Sequence, residues 1–164
     1  MRNAIAGSWV YTMVLIFTVI LVGYVAVSIN YAHAYQINQK ITTTVETSSG
    51  YNQDTKEKIY DIFDSYSYQS TGTCSNETIN GHTYDYIGSK DRDTPDIKNG
   101  AGRYKYCIVR TDATKGGNTV YYYKITNFFG FTIPVFGEIF TFRVSDETNP
   151  ILYPVTNDFF VTLH

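Results

Sequence analysis

The chain has 164 residues, enough for one modest domain with a hydrophobic core, and this length excludes large multidomain enzymes. The charged residues are unevenly distributed: Arg2 is the only one before Lys40, so residues 3–39 contain no Asp, Glu, Lys or Arg. The net charge is −2, and no basic patch is large enough to neutralise several phosphates, which argues against nucleic-acid binding.

The first predicted element is a membrane-spanning helix. The stretch from Trp9 to Ile29 is apolar or weakly polar, and as an α-helix it would be roughly 30 Å long, which matches the hydrocarbon core of a bilayer. We assign residues 1–8 to a cytoplasmic stub and 9–30 to the transmembrane helix. Arg2 and the terminal amine favour a cytoplasmic N-terminus, so the remainder is expected outside the cytoplasm, with membrane lipid as one partner.

A cleaved secretory signal is the alternative interpretation. Ala32-His33-Ala34 has the small-x-small pattern of a signal-peptidase site, so cleavage after Ala34 would release a secreted domain. The apolar run is longer than the usual ~7 to 15 residues, and its charged leader is a single Arg. Both interpretations export the rest of the chain.

The helix is predicted to continue beyond the membrane. Ile29, Ile37, Ile41 and Val45 recur at multiples of four, with polar residues between them, which indicates an amphipathic extension over residues 31–49. A helix from about Gly7 to Glu46 follows, with Gly50 as its C-terminal cap. The alternative is a helix that ends near Asn30 and leads into a polar linker.

Residues 50–164 are predicted to form a β-rich domain that begins with a short helix. Asp54 is the expected N-cap of a helix over Thr55–Tyr66, with Glu57 completing a capping box. The later aromatic runs separated by Gly, Asn, Asp and Thr are typical of antiparallel strands. The expected strands are Tyr84–Ile87, Arg103–Thr111, Thr119–Phe129, Glu138–Ser145 and Leu152–Phe160. The fold class is therefore α+β, with a long N-terminal helix, a short helix and a small antiparallel sheet.

Two local patterns refine this sheet. Residues 112–118 are a glycine-containing connector between two β-rich runs, which predicts a hairpin with a loose tip. In the following strand the apolar Phe140, Phe142 and Val144 alternate with polar residues at 141, 143 and 145, so one face should be buried and the other exposed to water.

Cys74 and Cys107 are the only cysteines. In an oxidising compartment an isolated pair favours a disulfide over a metal site, since two thiolates need two further ligands; free buried cysteines are the other possibility. His33, His82 and His164 are too dispersed for a metal centre or a histidine-dependent nucleophile. We expect no cofactor and no enzymatic activity.

The acidic stretch Asp91–Asp96 lacks the Gly and distal Glu of an EF-hand loop, and Pro95 stiffens it, so we interpret it as a solvated loop.

The layout resembles type IV pilin-like proteins, and in particular the TadE-like minor pilins, or pseudopilins, of the tight-adherence pilus in Gram-positive bacteria. Two stretches carry the resemblance: residues 6–14, which lead into the apolar run, and residues 125–145, which contain a Pro-x-x-Gly turn at Pro134–Gly137 between two strands. Members usually carry a Glu shortly after the prepilin-peptidase cut; if the cut falls at Gly7-Ser8, Thr12 takes that position.

The resemblance implies a membrane-held subunit that takes part in assembling a surface pilus or secretion filament. Its partners would be other pilin-like subunits and pilus assembly proteins, with no nucleic acid and no evident small-molecule substrate. The expected helix-packing positions are Val19, Gly23, Ala26 and Ser28. The alternative function is a membrane-anchored ligand-binding or adhesive module, because the 16 tyrosines could form a recognition surface rather than fill the sheet.

Overall fold

The structure is a computed structural model that describes residues 2–66, 70–132 and 139–162. Its helices are α1 (Arg2–Thr47), α2 (Gln53–Asp64) and α3 (Phe159–Thr162). Its strands are β1 (Glu77–Ile79), β2 (His82–Tyr84), β3 (Tyr86–Ser89), β4 (Ile97–Lys98), β5 (Tyr106–Lys115), β6 (Asn118–Thr132) and β7 (Ile139–Glu147).

All strand pairs are antiparallel. The main sheet has five strands in the order β4-β3-β5-β6-β7, and β1 and β2 form a separate two-stranded ribbon. The long helix, short helix and antiparallel sheet confirm the predicted α+β class.

Helix α1 is continuous, so the alternative in which it ends near Asn30 is wrong. No proline interrupts it, and the polar residues after Asn30 still leave an apolar stripe that the sheet can cover. At its C-terminal end the Gly50 amide bonds to the Val45 carbonyl at 3.0 Å, and the Ser49 amide bonds to the Glu46 carbonyl at 3.0 Å. This is a Schellman cap in which Ser49, with φ of 55°, holds the left-handed position. Gly50 is therefore the residue after that position and not, as predicted, the cap itself.

The hydrophobic core lies between α1, α2 and one face of the sheet. The stripe of α1 begins at Ala34 and continues through Ile37, Ile41 and Val45, all at most 2% exposed. Ile29, which the periodicity places in the same stripe, is 53% exposed because it lies beyond the part of α1 that the sheet covers. A smaller cluster on the opposite face of the sheet surrounds Cys107 and contains Tyr86, Tyr104, Val109 and Phe128.

Helix α2 begins two residues earlier than predicted and has a different cap. Asn52 is the N-cap, and its side-chain oxygen accepts a hydrogen bond from the Thr55 amide at 3.0 Å. Asp54 lies in the first turn and forms an i,i+4 ion pair with Lys58 at 2.6 Å. The helix ends at Asp64, before Tyr66.

The central strands are found near their predicted positions but are longer. β5 and β6 pair as far as Lys115 and Asn118, so the connector is a two-residue turn rather than a seven-residue loose tip. Gly116 and Gly117 have φ of 61° and 83°, as a tight type I′ hairpin turn requires. The predicted strand over Tyr84–Ile87 is split between β2 and β3.

The last predicted strand is wrong. Between Leu152 and Phe160 the chain forms turns and the start of α3; only Ile151, just before it, bridges to β6, at Tyr121. Leu152 is 48% exposed and Tyr153 85% exposed, so neither contributes to a buried sheet face.

The alternation predicted for β7 is confirmed where its side chains are described. Val144 is buried and Phe142 half-buried, whereas Thr141, Arg143 and Ser145 are exposed. The side chain of Phe140 and the predicted turn at Pro134–Gly137 lie outside the described residues.

Candidate functional site

The two halves of α1 have opposite surroundings. From Trp9 to Ile29 the large apolar side chains are exposed to between 37% and 71%, and within Trp9–Thr47 the most apolar window has a mean hydropathy of 2.5 with none of its residues buried. In the described part of the chain, α1 is the one helix long and apolar enough to cross a membrane. It is therefore a candidate membrane anchor.

Three polar side chains in or next to the apolar half form hydrogen bonds within the helix itself. The Thr18 hydroxyl donates to the Val14 carbonyl at 2.8 Å, and the Ser28 hydroxyl donates to the Tyr24 carbonyl at 2.9 Å. The Asn30 amide donates to the Ala26 carbonyl at 2.8 Å. A lipid environment leaves polar groups without water, so this internal pairing suits a helix in a bilayer.

The four predicted packing positions do not share one face. At 3.6 residues per turn, Val19, Gly23 and Ala26 point to the same side of α1, whereas Ser28 is about two and a half turns from Val19 and points to the opposite side. A Cβ at Gly23 would meet nothing within 4 Å, so none of the residues that the structure describes occupies the space beside this glycine. The candidate packing face is therefore Val19, Gly23 and Ala26.

The covered half of α1 is fixed to the sheet at three levels. The Tyr31 and Phe142 rings lie 5.8 Å apart, and the Asn127 side-chain amide donates to the Asn38 side-chain oxygen in the core. Near the C-terminal end of α1, the backbone amide of Asn149 donates to Glu46 Oε1 at 2.6 Å. These contacts hold the part of α1 from Tyr31 to Glu46 alongside β6 and β7.

A buried ionic cluster joins α2 to the loop before β4. Lys56 Nζ lies 3.0 Å from Asp96 Oδ1, and both side chains are at most 3% exposed. The Tyr51 hydroxyl donates to Asp96 Oδ2 at 2.5 Å, and the Tyr106 hydroxyl lies 2.6 Å from that of Tyr51. Burial raises the pKa of Tyr51 and of Tyr106 well above the ordinary value, and the nearby carboxylate of Asp96 adds to both shifts.

The solvated-loop interpretation of Asp91–Asp96 therefore holds only for its first part. The Asp91 carboxylate accepts from the Thr94 amide at 2.7 Å, which lowers the pKa of Asp91. Arg92 bonds Asp61 and Asp64 of α2 at the surface. Sequence reasoning missed the buried end, although Lys56 lies on the same helical face as Ile59, Tyr60 and Phe63; a cation on an apolar stripe indicates a buried partner.

Most of the fully buried tyrosines use their hydroxyls inside the domain. Tyr60 lies 2.9 Å from Ser89 Oγ, Tyr104 donates to the Gly100 carbonyl at 2.7 Å, and Tyr123 donates to Asp158 Oδ2 at 2.6 Å. Burial raises the pKa of Tyr60 and of Tyr123; in Tyr123 the neighbouring Asp158 raises it further. These three rings therefore act in the packing of the domain interior.

The predicted disulfide between Cys74 and Cys107 is confirmed, with the two Cα atoms 5.7 Å apart. It ties the segment before β1 to β5, and in the chain-entropy model a loop of this length stabilises the fold by roughly 3 to 4 kcal/mol. Beside it lies an open groove of about 380 Å³, where Lys124 Nζ and Glu77 Oε1 form an ion pair at 2.5 Å. Across the described residues, no three His, Cys, Asp or Glu side chains are grouped to hold a metal ion.

The comparisons with known proteins found no match: no family model fits the chain, and neither the curated proteins nor the solved structures include a significantly similar one.

Proposed function

We propose that this protein is a membrane-anchored, pilin-like subunit that takes part in assembling a surface pilus or secretion filament. The observation that carries the proposal is the division of one uninterrupted helix, whose N-terminal half is apolar and exposed while its C-terminal half forms the core of the domain. In the proposed mechanism, the exposed halves insert in the membrane and then pack laterally against helices of other pilin-like subunits. The sheet domain remains outside the cytoplasm.

Two further observations support this arrangement. The Cys74–Cys107 disulfide suits an oxidising compartment, which agrees with export of the domain. The face of Val19, Gly23 and Ala26 carries small or short side chains, and such residues allow close approach of helices in a bilayer.

The proposal is tested by adding bulk to either side of the apolar half. Gly23→Leu fills the packing face, whereas Ser28→Leu adds the same side chain on the opposite side of the helix. Because both changes keep the helix apolar and neither adds a charge, membrane insertion should persist in both. We expect Gly23→Leu to reduce the filament yield several-fold and Ser28→Leu to leave it near normal, measured on sheared surface fractions from the native host.

A charge at Val19 should disrupt helix packing more strongly than the added bulk of Gly23→Leu. Val19→Glu costs on the order of 3 kcal/mol at the helix centre, which a long apolar helix can tolerate for insertion but a packed helix interface cannot. Carbonate extraction checks insertion, and the intact disulfide checks the fold of the domain. Normal filaments from both Val19→Glu and Gly23→Leu would contradict the proposed function.

A further inference from the structure

The direction and level of β7 relative to α1 can be read from their contacts. Tyr31 contacts Phe142, and Glu46 contacts Asn149, so both segments advance in the same direction. Fifteen helical residues rise about 22 Å and seven extended residues about 23 Å, so the two lengths agree. β7 therefore runs nearly parallel to the axis of α1.

A third contact agrees with this alignment. Asn127 of β6 pairs with Val144 of β7 and bonds to Asn38 of α1. Val144 is about 7 Å beyond Phe142 along the strand, and Asn38 is about 10 Å beyond Tyr31 along the helix, so the two levels agree to within one helical turn.

The same alignment places the last described strand pair, Thr132 of β6 and Ile139 of β7, beside the apolar half of α1. Ile139, the first residue of β7, is three residues before Phe142 and pairs with Thr132. It lies about 10 Å closer to the N-terminus of α1 than Phe142 does, which is level with about residues 24–25 of the helix. This level falls inside the apolar run of residues 9–29.

The sequence of these strand ends suits lipid. The described strand residues between Lys124 and Arg143, which are 125–132 of β6 and 139–142 of β7, carry no charge and include five phenylalanines. Arg143 is exposed next to Phe142, at the level of Tyr31, where a cation and aromatic rings fit the headgroup region. Because α1 has no break, the domain cannot lift this end away from the bilayer while the apolar half spans it.

We propose that the paired ends of β6 and β7, at Thr132 and Ile139, enter the outer interface of the lipid bilayer as a second membrane contact of the domain. This inference rests on the proposed membrane anchoring by α1. Its partner is the lipid interface itself rather than another protein. The opposite end of β6, at Asn118, is about 45 Å farther along the strand and stays in water.

The test uses the full-length chain in phosphatidylcholine vesicles, at about one chain per vesicle. Both native cysteines are in the disulfide, so an introduced cysteine is the single free thiol for an environment-sensitive fluorophore. Ile139→Cys and Phe140→Cys provide two successive label positions at the start of β7, which covers both orientations of a strand side chain. Lys115→Cys, at the far hairpin, and Val19→Cys, in the anchor, are the matched controls.

We expect a nitroxide-bearing lipid to quench the label at position 139 or 140 several-fold more than the label at 115, with iodide showing the reverse order. Iodide quenching at 139 and 140 equal to that at 115, with lipid quenching at 19, would overturn the inference and leave the anchor intact. If the label at 19 also responds only to iodide, the proposed anchoring fails as well. In a second series with several chains per vesicle, self-quenching at 139 that rises with protein density and replaces lipid quenching would assign these strand ends to contact between copies, and would overturn the proposal.

Discussion

Four tyrosines form hydrogen bonds through hydroxyl groups that are buried in the domain interior: Tyr51, Tyr60, Tyr106 and Tyr123. The abundance of tyrosine predicted a sheet, but composition does not reveal which rings would be buried or which carboxylates would accept hydrogen bonds from their hydroxyls. Asp96 and Asp158 each accept a tyrosine hydroxyl in the core, across separations of 45 and 35 residues. Such pairs depend on the tertiary fold, so the sequence alone offers no spacing from which to infer them.

These tyrosines predict a loss of stability at alkaline pH. An unfolded tyrosine ionises near pH 10, and burial raises the pKa of all four in the folded state. Their stabilising contribution is therefore fully present below about pH 10 and is lost as the pH rises from there toward the folded-state values. The free energy of unfolding, followed by near-ultraviolet circular dichroism in detergent, should fall above pH 10.

Absorbance of tyrosinate measures the same effect directly. We expect a late phase that coincides with unfolding and loses amplitude in Tyr123→Phe. Tyr153→Phe, at a ring that is 85% exposed, should keep the late phase unchanged. Ionisation of all tyrosines in one phase near pH 10, with the fold intact, would contradict the prediction.

At the scale of the elements, periodicity predicts helices better than strands. The spacing of Ile37, Ile41 and Val45 predicted the buried stripe of α1 because the stripe repeats over several turns. The false strand over Leu152–Phe160 arose because a short run of apolar residues has no period that distinguishes strand from turn. The β5–β6 hairpin was expected, but its tight turn was missed because residues 112–115, Asp-Ala-Thr-Lys, were assigned to a loop rather than to strand continuation beyond the core.

The N-cap of α2 gives a test at this scale. Asn52→Ala removes the acceptor for the Thr55 amide and hydroxyl, at 3.0 and 3.1 Å, and should lower the free energy of unfolding by about 1 kcal/mol. Asp54→Ala is the control, because its exposed pair with Lys58 contributes no more than about 0.5 kcal/mol. Denaturant unfolding of the full chain in detergent compares the two. A larger loss for Asp54→Ala would restore Asp54 as the cap.

At the scale of the whole molecule, α1 links two environments in one rigid rod. The sequence predicted its length and continuity, since an apolar run followed by an amphipathic stripe without proline favours one helix. The predicted boundary near residue 30 depends on where a bilayer would end, which remains a prediction. The separation of Ser28 from the candidate packing face follows from helical geometry alone, because residues 19–28 all lie in the predicted transmembrane helix.

The intact mass of the native protein tests whether α1 remains uncut after Ala34. Ala34 is 2% exposed and contributes to the core in the middle of α1, so cleavage after it would sever the helix that fixes the sheet to the anchor. We expect a mass that corresponds to a chain starting at Met1 or, after pilin-type processing, at Ser8. A mass that starts at Tyr35 would identify a secreted domain and contradict the anchored interpretation.

The buried stripe of α1 is synthesised before the strands that cover it, so it is exposed for a time during synthesis. The residues from Ala34 to Val45 leave the ribosome well before β6 and β7, the strands that cover them, which end at Thr132 and Glu147. At about 5 to 20 residues per second, the stripe waits several to about twenty seconds for its cover. During that interval the growing chain presents apolar surface on both halves of α1, and the second half remains uncovered until β7 arrives.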